Sequence, residues 1–212
     1  MVRPVLALDT ATARATFAAG LPGGVVTDRV IAEKRDLSRA IESVAMEVLR
    51  GAGVAPRDLA AVVVADGPGS FTGLRIGIAF AKGLCRALGV PLLAAPSLLG
   101  AARAVLDGAG DVVAEYDALR GEVYRAVYRF DATGAVTVVR APALAPANDA
   151  ALRAGGPRAT EADASAAALV RLAGVAGGPA PVADAAGWEP AYGRPAEAEA
   201  RLLAQHARLP GA

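Results

Sequence analysis

The stretch "AVVVADGPGSFTGLRIG" (residues 61–77) runs from an apolar segment closed by an acid, through a glycine-rich turn, into an amphipathic pattern. The apolar segment Ala61–Asp66 predicts a buried strand, and the pattern from about Gly73 to Leu88 predicts a helix. Backbone amides at such a strand-to-helix junction attract anions, so the turn first raises the question of a phosphate. The spacing argues against the two common phosphate loops. A Walker loop needs G-x-x-x-x-G-K-[ST], but the sixth residue from Gly67 is Thr72, and from Gly69 the glycine comes one step early, at Gly73, followed by Leu74 and Arg75. A dinucleotide fingerprint needs G-x-G-x-x-G and an acid further on, whereas G-P-G-S-F-T-G is one residue too long and the later region reads "GLCRALGVPLLA". What remains is a helix start at which Ser70 or Thr72 acts as a cap or contacts a ligand.

Working outward, "VLALD" (5–9) reads as a buried strand, "ATFAAG" (15–20) as a second and "VVTDRVIAEK" (25–34) as a third, joined by short turns into an antiparallel meander. In "DLSRAIESVAMEVLRGAG" the apolar positions Leu37, Ile41, Val44, Ala45, Val48 and Leu49 form one face of a helix, with Asp36 or Ser38 to cap it and Gly51 or Gly53 to end it. "VPLLAAP" is a strand, and Ser97 caps a short helix through Leu106. The order β-β-β-α-β-α-β-α suggests a ribonuclease-H-like lobe. The second half reopens with "VVAEYD" and "EVYRAVYRF", which sets Tyr124, Ala126, Tyr128 and Phe130 on one face, then the turn "DATG" and the return strand "AVTVV". That pattern is a decayed repeat of the first half. Residues 141–187 show one helix, about Asp163–Ala173, and the end of the chain reads as a charged helix after the single tryptophan. Two lobes are expected, residues 1–106 and 107–212.

Composition narrows the function. No run of about 18 apolar residues lacks a charge, which argues against a membrane span, and "MVRPVLALDT" reads as a strand rather than a signal peptide. With 22 basic and 21 acidic residues the chain has no strong nucleic-acid footprint. A single cysteine, Cys85, rules out an internal disulfide and fits a reducing cytoplasm, and its place in an apolar helical pattern makes it core. A single histidine, His206, provides no imidazole pair for a metal and no support for a peptidase. On the helix after the glycine turn, Gly73, Gly77 and Ala81 recur every fourth residue and thin one face, either against the chain's own sheet or against a partner helix. Leu74, Ile78, Ala81, Cys85 and Leu88 form the core stripe. Ile76, Phe80 and Lys82 fall off it, and Phe80 points to an interface.

Three blocks, "LALDTATA", "DGPGSFTGLRIGIAFAKGL" and "DALRGEVYRAVY", and a closing "EPAYGRP" of the form P-x-Y-x-R, resemble the TsaB (YeaZ) family. The resemblance covers nearly the whole chain outside about 141–187. It implies an α/β fold of two ribonuclease-H-like lobes in the actin, hexokinase and Hsp70 superfamily, with the second lobe reduced. It implies a cytoplasmic, non-catalytic partner of the TsaD protein, acting with the ATPase TsaE to place a threonylcarbamoyl group on tRNA, which contacts TsaD more than this chain. A homodimer is expected when the chain is isolated. TsaD-type relatives carry an H-x-x-x-H metal pair where this chain has Leu37 and Ile41, so no intrinsic metal or catalytic residue is expected. Partner contacts are expected at Leu37, Ile41, Gly73, Leu74, Ile76, Gly77, Phe80 and Ala81. A remnant anion or nucleotide contact is expected at Asp9, Thr10, Thr12, Gly67, Gly69, Ser70 and Thr72, with ATP or ADP at the interface of the complex. Asp117, Arg120 and Glu122 are expected at the cleft between lobes, or alternatively in a surface turn capped by Asp117. The alternative function is a small-molecule kinase or nucleotide-binding protein of the same superfamily.

Overall fold

The computed structural model describes residues 3–31, 36–148 and 156–192. Strands β1 (Val5–Asp9), β2 (Ala15–Gly20) and β3 (Val26–Ile31) form the expected antiparallel meander. Helix α1 (Leu37–Gly51) then crosses to β4 (Ala61–Ala65), which lies parallel to β1. Helix α2 (Phe71–Leu88) crosses to β5 (Leu92–Ala95), parallel to β4. The strands β1 and β4 are buried along their whole length, as expected of parallel strands covered on both faces. Helix α1 buries Leu37, Ile41, Ala45, Val48 and Leu49, but Asp36 makes no side-chain cap. Helix α2 starts two residues earlier than the apolar pattern suggested, because the Ser70 hydroxyl accepts the Gly73 N–H (3.3 Å). It stops at Gly89, whose φ of 66° is a left-handed cap that a side chain would strain.

Helix α3 (Ser97–Val105) leads to the second sheet. Strands β6 (Gly110–Asp117), β7 (Glu122–Phe130) and β8 (Val136–Pro146) repeat the meander, and β9 (Arg158–Ala159) lies parallel to β6. The order β8-β7-β6-β9 therefore reproduces β3-β2-β1-β4 of the first sheet. On β7, Tyr124, Ala126, Tyr128 and Phe130 are buried together, as the alternation required. Arg125, between them in sequence, is also buried, at 2% exposure. It pairs with Glu115, which also binds Arg158. Burial pushes the Glu115 carboxyl up, but hydrogen bonds from Arg158 and Arg125 outweigh it and leave its pKa below the ordinary value.

After β9 the chain returns to the first sheet. Helix α4 (Ala166–Leu172) packs on β1, β2 and α3, and β10 (Ala180–Pro181) adds a sixth strand beside β5. The expected boundary at 106/107 falls between α3 and β6, and beyond it α4 packs on the first sheet and β10 joins it. The expected charged C-terminal helix and His206 lie outside the described residues.

Candidate functional site

Two regions gather the residues singled out by the sequence. The first is the junction of the β1–β2 turn with the glycine turn. Asp9 and Thr10 are fully buried, and Thr12 nearly so. The Ala11 N–H donates to Asp9 Oδ1 (3.0 Å), and the Thr12 hydroxyl closes on Arg14, donating to its carbonyl (2.8 Å). The glycine turn folds onto this corner: the Ser70 N–H donates to the Ala11 carbonyl (2.6 Å), and a Cβ at Gly69 would sit 2.7 Å from Ala11 Cβ. The Gly67 N–H donates to the Ser97 hydroxyl (3.1 Å), and a Cβ at Gly67 would strike the Ala191 carbonyl.

These contacts bear on the expected anion site. The amides of Ala11, Gly67, Ser70 and Gly73 each have an acceptor inside the chain already. A buried carboxylate, Asp9, also occupies the corner and would repel a phosphate. Thr72 alone of the expected contacts is exposed. Ser97, expected as a helix cap, instead ties the two sheets together, because its carbonyl also accepts the Tyr116 hydroxyl (3.1 Å). A serine following a proline at a helix start was the only sequence signal for that role.

The residues expected at the cleft between lobes lie on one hairpin. Asp117 and Arg120 are exposed and Glu122 is half-buried, all at the tip of the β6–β7 hairpin. Asp117 Oδ1 accepts the Leu119 N–H (2.8 Å), the surface-turn alternative. A 3-10 turn at Glu161–Asp163 bridges the two hairpins: Glu161 accepts the Asp117 N–H, and the Ala162 carbonyl accepts from Arg14 (3.0 Å).

The second region is the surface of α2. Leu37, Ile41, Gly73, Leu74, Gly77 and Ala81, all expected to face a partner, are buried within the chain. Gly77 is the clearest correction, because a Cβ there would run into the Thr10 side chain. The small-residue face therefore serves this chain's own sheet. A different row points outward: Ala79, Gly83 and Ala87 are exposed at the same four-residue spacing, beside half-buried Ile76, Phe80 and Leu84. A Cβ at Gly83 would meet nothing among the described residues within 4 Å. Along the other flank of α2 the stretch 184–192 is strapped down: Lys82 Nζ donates to the Trp188 carbonyl (2.7 Å), and the Phe71 and Tyr192 rings lie 4.6 Å apart, with Arg75 over Phe71. Leu37 and Ile41 bring only apolar atoms to the position of the relatives' metal pair, so that position does not fit a metal. Among the described residues no group of three or more His, Cys, Asp or Glu side chains is placed to hold one.

Two sheets of matching topology, with parallel crossovers in the first and a shortened second, define a two-lobed α/β protein. The family model described as TsaD, tRNA N6-adenosine threonylcarbamoyltransferase, matches residues 13–173, and the chain belongs to that family. Its resemblance to TsaB (YeaZ) proteins is borne out. The tRNA threonylcarbamoyladenosine biosynthesis protein TsaB of Escherichia coli strain K12 is 35% identical over 132 residues, covering 61% of this chain and 57% of that protein. TsaB of Bacillus subtilis strain 168 is 34% identical over 128 residues, covering 59% and 55%. The chain thus spans a little over half the length of these relatives. A solved Pseudomonas aeruginosa protein described as similar to peptidase YeaZ superposes with a TM-score of 0.77 at 27% identity, covering 91% of this chain and all of that one. YeaZ from Pseudomonas aeruginosa gives 0.71 at 28% identity, covering 81% and 91%.

Proposed function

We propose that this chain is a non-catalytic docking subunit for tRNA threonylcarbamoyladenosine synthesis, pairing through α2 and the adjoining edge of α1 with a TsaD-type catalytic partner. The observation that carries the reading is the outward row Ala79, Gly83 and Ala87. A glycine inside a helix costs about 1 kcal/mol relative to alanine, and Gly83 has no neighbour among the described residues to explain it. A second helix approaching closely would explain it, with Ile76 and Phe80 as the apolar rim. The names of the TsaB relatives supply the pathway. The apolar Leu37 and Ile41, and the internally satisfied amides of the glycine turn, support a chain that contributes surface rather than chemistry. TsaE, tRNA and ATP or ADP enter this proposal only through the assembled complex, which is placed in the cytoplasm. Without TsaD, the same face pairs with a second copy.

The test is co-purification with TsaD, followed by a threonylcarbamoylation assay with and without this chain. The variant Gly83→Leu is expected to lose the heterodimer and the stimulated activity while its melting curve stays within a few degrees of the parent. A heterodimer intact in that variant would put the contact elsewhere.

A further inference from the structure

We propose that the cleft between the carboxyl ends of β4 and β5 and the returning stretch 178–188 binds an organic cation with a guanidinium head. Its volume is about 600 Å³, which suits a small molecule or one side chain. Two acids, Asp66 and Asp184, and the indole of Trp188 line it among small apolar residues such as Ala94, Pro96 and Val182. Among the described residues that line it none is basic, and the Lys82 ammonium stands over the Trp188 ring at 5.7 Å.

Asp66 closes β4, and its N–H donates to the Ala95 carbonyl (2.9 Å), which fixes the residue at the rim. Burial raises its pKa to about 6, and its own backbone amide relieves only part of that. A desolvated carboxyl with no basic partner among the described residues gains from a cation brought to it. Asp184 is fixed from behind, with Oδ1 accepting the N–H groups of Ala186 (3.1 Å) and Gly187 (3.2 Å). The indole is held by the Lys82 bond to the Trp188 carbonyl, and the Lys82 ammonium lies 5.7 Å from the ring centre. A guanidinium is planar, so it can fork to a carboxylate and stack on an indole at once, whereas an ammonium is a compact point charge. The cleft does not depend on the docking proposal, since it lies on the Lys82 flank of α2 and not on the Ala79–Ala87 row.

The same head group can come from a free metabolite or from an arginine side chain of another protein. Trp188 is the chain's single tryptophan, so its emission reports this cleft alone. The full chain is titrated with butylguanidine, with N-acetylarginine amide as the side-chain surrogate, and with butylurea as the neutral isostere. A saturable change is expected with both guanidinium probes, none with butylurea, and an affinity weakened about tenfold or more in Asp66→Asn. Tighter butylguanidine indicates a free cation, and tighter N-acetylarginine amide an arginine residue. Should Asp66→Asn not fold, Asp184→Asn, an exposed position, carries the same expectation of weaker binding. An equal response to butylurea, no saturable change with either guanidinium probe, or unchanged affinity in both variants overturns the proposal.

Discussion

Gly77 and Gly83 stand on one helix and answer to opposite neighbours. Gly77→Ala drives a methyl into Thr10 and is expected to destabilise the fold by about 1–3 kcal/mol. Gly83→Ala enters open space and is expected to stabilise the isolated chain by about 0.5–1 kcal/mol. Urea denaturation of the two variants checks both signs. The periodicity of small residues was legible in the sequence, but it matches two faces of α2 equally well. Only the position of Thr10, more than sixty residues away, decides which face is internal. Asp66 has a readable consequence for pH. Burial favours its neutral form, so its pKa in the folded chain, about 6, stands above the unfolded value near 3.8. Its contribution to stability is fully present below about pH 4 and is lost as pH rises through about 6. Asp66→Asn is therefore expected to melt higher than the parent at pH 8, with the gap closing toward pH 4. Burial also pushes the Cys85 thiol up to about 11, so it is expected to resist Ellman's reagent in the folded chain and to react promptly in denaturant.

The β6–β7 hairpin shows what a turn asks of its residues. Leu119, Arg120 and Gly121 have φ values of 64°, 57° and 78°, three left-handed residues in succession, and only the last is glycine. The fold holds them there with the Ala118 N–H to the Glu122 carbonyl (2.9 Å) and the Ala147 N–H to the Gly121 carbonyl (2.9 Å). Replacing Leu119 by asparagine, which tolerates this region, is expected to stabilise the chain by about 1 kcal/mol in urea titrations. Strands of this size were legible because alternation and turn residues are local signals. Arg125 was not legible, since an arginine between tyrosines reads as solvent-facing. Its burial depends on Glu115, ten residues earlier, on the adjacent strand of the second sheet. β10 was missed for a similar reason: a two-residue Ala–Pro strand has no propensity of its own and is defined only by its partner β5.

For the whole molecule, the repeated meander was the legible part and the turn that bridges the two hairpins was not. The Glu161–Asp163 turn that bridges the two hairpins lies in a stretch rich in alanine and glycine, where no residue type announces a long-range partner. Its presence, with the glycine-turn amides already satisfied, leads to a calorimetric expectation: Mg-ATP injected into the isolated chain gives no binding heat, and tight binding with turnover would favour the kinase reading. The return of the chain to its first sheet also bears on how the protein is made. A ribosome releases β1 through β5 long before it delivers α4 and β10, so the N-terminal sheet waits with an open edge and an uncovered face while roughly seventy further residues are translated. Nascent-chain folding is therefore expected to complete late, and the interval before residue 181 emerges is when a chaperone would find the most to hold.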